Sequence, residues 1–123
     1  MAVAGPKIQN FSVPAGDGVD LNWDVDPDAG VSLIGADIIW RAYEQEFGLP
    51  VAGSDPVISK RLDDGIQIDD PTALTFTVTI DRADTVGLLR NYYHEATVIS
   101  EEGIWVTVTV GAMTVTQTEN RDD

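Results

Sequence analysis

An all-β sandwich of about seven to eight short antiparallel strands is the fold class this sequence predicts, and three observations predict it. Segments that alternate apolar and polar residues recur about every ten positions. Clusters of Gly, Pro and Asp separate them, and apolar residues at helical spacing are almost absent. The arrangement these features imply is immunoglobulin-like, with a small closed barrel as the alternative. The chain has no cysteine, so the Cys, Trp, Cys spacing of true immunoglobulin domains is missing and the inference is to architecture only.

The clearest element is a β-hairpin over residues 91–111. In its second arm Ile104, Val106, Val108 and Val110 fall on one face, Trp105, Thr107 and Thr109 on the other, as a half-buried strand requires. In the first arm the apolar set is Tyr92, His94, Ala96 and Val98. Ser100-Glu101-Glu102-Gly103 forms the turn, closed by a glycine suited to a left-handed conformation. Met113 and Val115 lie on the opposite parity from Val110, which predicts a bulge at Gly111 or Ala112.

Taken in order, residues 8–13 form a first strand between Pro6 and Pro14, prolines that suit a sheet edge. Val19, Leu21, Trp23 and Val25 alternate with Asp20, Asn22 and Asp24, giving a strand with a core face and an acidic face; Trp23 is read as a core residue. Residues 26–30 make a turn, and residues 36–43 (ADIIWRAY) the next strand. Residues 44–55 read as a long loop, followed by two short strands on either side of Asp63-Asp64-Gly65. Leu74, Phe76, Val78 and Ile80 mark a strand with threonines on its other face. Residues 81–89 have the composition of one helical turn with Asp81 or Asp84 as its cap. The domain organisation expected is a single sandwich over residues 1–123, with a short N-terminal arm (about 1–7) and a polar C-terminal tail (about 118–123).

At 123 residues one core can be buried without metals or cross-links. Twenty-one acidic against seven basic residues give a net charge of −14, a field that repels nucleic acid, so no nucleic-acid partner is expected. The N-terminus, MAVAGPKIQNF, lacks a basic region followed by an apolar one, and no apolar run reaches membrane-spanning length. A soluble protein with no membrane partner and no visible signal peptide follows as the expectation.

No catalytic constellation emerges, and no catalytic, cofactor-binding or metal-binding residue is assigned. The run Asp24 to Gly30 starts like an EF-hand loop but has Ala29 where glycine is required and Gly35 where the bidentate glutamate belongs. A looser calcium site at Asp24, Asp26 and Asp28 competes with a solvated turn. His94 is the only histidine and is read as structural, because zinc would then need three carboxylate ligands. The paired acids Asp63-Asp64, Asp69-Asp70 and Glu101-Glu102 lie in turns, where their backbone preferences explain them. The chain is therefore expected not to be an enzyme and to need no cofactor.

Taken in succession, "GADIIWRAY", "PVISKRLDDGIQIDD", "FTVTIDRADTVGLL", "NYYHEATVISEEG" and "VTVTVGAMTV" resemble small tailed-phage virion proteins related to the immunoglobulin-like N-terminal domain of phage baseplate upper proteins. The resemblance covers residues 30 to 115. Where that family shows a "DLTGA" entry, this chain has Ser32-Leu33-Ile34-Gly35-Ala36. The resemblance implies a non-enzymatic structural protein of the virion with no catalytic residues. A capsid decoration (cement) protein on the particle exterior is the leading expectation, since a single acidic domain without a fibre segment suits a module present in many copies. Its partners would be the major capsid protein or tail components, and further copies of itself. A tail or baseplate adaptor is the runner-up. A carbohydrate-binding module stacking sugars on Trp40, Tyr43 and Trp105 is the alternative from another class.

Attachment by an acidic protein must come from local contacts. The candidates are Trp105, which lies on the threonine face of its strand, Arg41 and Tyr43 if their face is outward, and Lys7 in the N-terminal arm.

Overall fold

The computed structural model describes residues 6–88 and 90–116. The first five residues of the expected arm and the polar tail lie outside the described residues. Ten strands occur among the described residues: β1 (Lys7–Ile8), β2 (Phe11–Pro14), β3 (Val19–Asp24), β4 (Asp37–Glu46), β5 (Leu49–Pro50), β6 (Ile58–Leu62), β7 (Gly65–Asp70), β8 (Thr75–Ile80), β9 (Asn91–Ile99) and β10 (Trp105–Thr116). They form one curled sheet in the order β1-β10-β9-β4-β6-β7-β8-β3, with β2 also on β10 and β5 on β4.

The curl is made at the Asp63-Asp64 corner. Asp63 takes a left-handed φ of 64°, Arg61 N–H donates to the Asp64 carbonyl (3.1 Å), and Asp63 N–H donates to that of Ile66 (2.9 Å). The chain thereby leaves the β10-β9-β4-β6 layer and enters the β7-β8-β3 layer. Apolar side chains of both layers meet in one core: Leu21, Trp23, Phe76 and Val78 from the second, Ile38, Trp40, Ala96, Val98 and Met113 from the first. Trp23 and Trp40 bridge the layers at 6.2 Å between ring centroids. The all-β sandwich read from the sequence is the fold of this chain.

Local chemistry explains most elements. Trp23 is in the core, and the β9 set Tyr92, His94, Ala96 and Val98 is buried as its alternation requires. At the 100–103 turn Gly103 has φ 88°, and the turn closes through Ser100 N–H to the Ile104 carbonyl (2.8 Å). The helical turn α1 (Arg82–Thr85) has Asp81 as its N-cap and Asp84 as the reciprocal partner of a capping box. Buried Thr85 pins α1 to the β2–β3 turn: its hydroxyl accepts from Gly16 N–H and donates to the Asp17 carbonyl.

Several expectations are corrected. The sheet is mixed, not purely antiparallel: β1 and β2 run parallel to β10, and β6 meets β7 in a short parallel bridge. The N-terminal segment read as one strand over residues 8–13 is two, β1 and β2, both on the sheet edge as the prolines suggested and both in the direction of β10; from that edge the chain crosses to β3 in the opposite layer. The β10 bulge falls between Thr107 and Thr109 rather than at Gly111 or Ala112. It turns Thr109 inward, where its hydroxyl accepts from the Gln9 side-chain amide (3.1 Å), and leaves Val110 half-exposed. Gly111 has a different role: a Cβ there would collide with the Gln9 carbonyl oxygen, so glycine is what lets the N-terminal strand pass so close.

Ile104 is exposed, not core, because its N–H and carbonyl both belong to the turn, bonded to Ser100. The stretch 44–55, read as a loop, contains the end of β4 and a tight return into β5. Glu46 pairs with Leu49 around Phe47 (φ 58°) and Gly48 (φ 80°), the two left-handed residues of a hairpin turn that twists with its strands. Phenylalanine is an unusual choice there, which is why the pattern gave no sign of it.

Candidate functional site

The outward face of β4, β9 and β10 collects three of the four residues singled out from sequence. Their register places side chains in rows across the three strands: Asp37, Ile99 and Trp105; Ile39, Thr97 and Thr107; Arg41, Glu95 and Val110; Tyr43, Tyr93 and Ala112. Trp105 stands at one end. Arg41 is four residues along β4 from that row, about 13 Å, and Tyr43 six, about 20 Å. The three share a face without forming one cluster. Lys7 lies elsewhere, at the sheet edge, where its ammonium meets Asp24 of β3 at 2.8 Å. That hydrogen bond is the main reason the Asp24 carboxyl is held below its ordinary range, with burial opposing it.

The Trp105 end carries three exposed large apolar side chains among charged neighbours. Ile34 (66% exposed) and Ile104 (62%) line, with Glu101 and Glu102, a groove of about 370 Å³ between the 30–34 loop and the 100–104 turn; Trp105 (61%) follows Ile104 in the chain, outside that lining. Glu101 packs its carboxylate over Gly35 and so joins the two loops. Ile34 and Ile104 were not singled out from sequence. The alternation places Ile104 on a buried strand face and gives Ile34 no place, and their exposure depends on how the two loops meet.

Arg41 is half-buried opposite Glu95. The other described cations are engaged: Lys7 with Asp24, Lys60 with Asp84 (2.7 Å), Arg61 with Asp37 (2.8 Å), Arg90 with Glu44 (3.3 Å), and Arg82 with the Gly16 carbonyl (2.9 Å). Arg41 enters no ion pair among the described residues. Tyr43 faces Tyr93, whose hydroxyl is pushed above its usual range by burial and by the nearby Glu95 carboxylate.

Trp40, a member of the aromatic set suggested for sugar stacking, is fully buried. Its indole N–H donates to His94 Nδ1 (3.1 Å), and His94 Nε2–H donates to the Gln9 carbonyl (2.6 Å). The two bonds fix the neutral tautomer with its proton on Nε2. Trp23 stacks on the same ring at 5.1 Å, and burial pushes the His94 pKa down to about 4. The structural reading of His94 follows from these contacts. Among the described residues no group of three or more His, Cys, Asp or Glu side chains converges as metal ligands. Asp26, one of the three acids considered for calcium, instead caps the 27–29 turn by accepting from Asp28 N–H. No described helix is long and apolar enough to cross a membrane.

No known family model matches the chain, and no curated protein sequence matches it significantly.

Proposed function

We propose that this protein is a bacteriophage virion structural protein, a capsid decoration module held on the outside of the particle by its Trp105 end. The observation that carries the reading is the exposure of three large apolar side chains close together in the chain and loops at this end. In a chain of net charge −14, Ile34 and Ile104 are exposed on the walls of one groove and Trp105, next in the chain, is exposed beside Ile104. Removing such a group from water stabilises an interface by about 25 cal/mol per Å² of apolar area, while the net negative charge of the protein resists self-association. The succession of motifs over residues 30 to 115 supports the virion assignment, and the sandwich fold agrees with it. The partner is the major capsid protein, with tail components as the variant reading.

The test is to locate the protein on purified particles by antibody labelling and by density. Regular copies over the capsid are expected. Label confined to the tail would replace decoration by an adaptor role, and its absence from particles would overturn the virion reading.

A further inference from the structure

At the opposite end of the same outward face lies a second groove, of about 640 Å³, between the edge strand β1 and the β4–β5 hairpin. Its volume is within the range of small-ligand sites. Its lining contains no charged residue, although acids outnumber bases three to one in the chain. The apolar part comes from Ile8 and Leu49 on the two walls, 73% and 65% exposed, with Val110, Ala112 and Tyr93 on the floor.

The polar part is three amide side chains, and the protein holds each by its oxygen. Asn10 Oδ1 accepts from Ala112 N–H (2.8 Å), Gln45 Oε1 from Gly48 N–H (2.7 Å), and Asn91 Oδ1 from the Thr114 hydroxyl (2.9 Å). The first two donors are backbone N–H groups, which can only meet an oxygen, so those amides cannot be flipped. Each NH₂ group is left without a protein acceptor among the described residues. Asn91 and Gln45 lie one step beyond the facing pair Tyr93 and Tyr43 on adjacent strands, and Asn10 lies beyond β10. The set spans about three inter-strand spacings, roughly 14 Å.

We infer that this groove binds a neutral saccharide, the amide N–H₂ groups of Asn10, Gln45 and Asn91, the first two held in orientation, donating to its oxygens while Ile8, Leu49 and Tyr93 pack against the apolar faces of its rings. The ligand chemistry follows from three features. Fixed donors call for an acceptor-rich partner, and each amide oxygen keeps a second lone pair, as does Thr114, to accept from sugar hydroxyls. The absence of any cation in the lining, in a strongly acidic protein, disfavours an anionic sugar. A peptide adding as a strand needs a free sheet edge, but the groove floor is a sheet face, and the edge strand β1 on its wall is only two residues long, too short to hold an added strand. The site is eight residues along β4 from the Trp105 row, about 26 Å, so both ends can be occupied at once. This inference does not depend on where the protein resides.

The experiment is an array of neutral hexose and N-acetylhexosamine oligosaccharides, with sialylated and sulfated ones alongside, probed with the purified protein and followed by titration calorimetry on the best binder. Gln45→Glu and Asn91→Asp keep the size of each side chain and the oxygen that holds it, and replace only the donor by an anion. Saturable binding of a neutral oligosaccharide is expected, weakened at least about tenfold by either substitution and unchanged by Trp105→Ala. Unchanged melting of the two variants would show that lost binding is not lost folding. No binding across the neutral set, a preference for the anionic sugars, or equal affinity of the parent and both variants would overturn the inference. So would displacement of a bound sugar by Trp105→Ala.

Discussion

His94 should make the stability of this protein fall as the pH drops from 6.5 to 4. The imidazole is fully buried, with Trp40 Nε1–H on one nitrogen and the Gln9 carbonyl on the other. A second proton has to go on Nδ1, which already accepts the indole N–H, and the resulting cation would be buried among aromatic rings. The folded pKa is therefore about 4 against an ordinary 6.5. Between those values the unfolded chain binds the proton and the folded chain does not, so protons favour unfolding. The contribution is fully present above pH 6.5 and lost progressively down to pH 4. At about 1.36 kcal/mol per pKa unit the loss is about 2 kcal/mol at pH 5 and about 3 kcal/mol at pH 4.

Protonation of surface carboxylates relieves charge repulsion over part of the same range and works in the other direction, so the quantity to read is a difference. Urea denaturation followed by tryptophan fluorescence, for the parent and for His94→Gln at pH 7.5, 6, 5 and 4.5, isolates it. His94→Gln should be less stable at neutral pH, with a gap that narrows as the pH falls. Since the chain has one histidine, its ring resonances give the pKa directly by NMR. A constant gap between the two proteins, or a ring that titrates near 6.5 in the folded state, would refute the reasoning.

Val108→Asp should prevent soluble folding, since Val108 is 2% exposed and an unpaired buried carboxylate costs several kcal/mol; Val106→Asp, at a half-buried position, should lose less, and expression with urea melts separates them. Gly111→Ala should destabilise by roughly 1–3 kcal/mol through its collision with Gln9, and hydrogen exchange at the Gln9 amide, bonded to the Val110 carbonyl, should speed up before exchange in β8. Trp40→Phe removes the donor to His94 Nδ1 and should cost about 1–3 kcal/mol while raising the His94 pKa, which the same NMR titration reads. Trp105→Ala should melt like the parent yet occupy fewer sites on particles, and raising salt to physiological levels should not strip the parent off; loss of the parent in modest salt would point to an ion-paired interface.

What the sequence determined by itself was whatever depends on near neighbours along the chain. The period-two patterns of residues 19–25, 74–80 and 92–98 select one buried face each, because successive side chains in a strand point to opposite sides. The Gly103 turn and the Asp81 cap are likewise local. The tertiary structure decided what joins distant residues. The bulge at Val108 could not be located from the alternation, which runs on unbroken to Val110, because the reason for it is Gln9 waiting for an inward Thr109 one hundred residues away. The Trp40 and His94 pair is separated by 54 residues, His94 and Gln9 by 85, and Asn10 and Ala112 by 102. The amide-lined groove was equally hidden: asparagine and glutamine in a β-protein read as ordinary surface residues. Only the packing of the edge strand beside β10, and the return of β5 beside β4, turns three scattered amides toward one space.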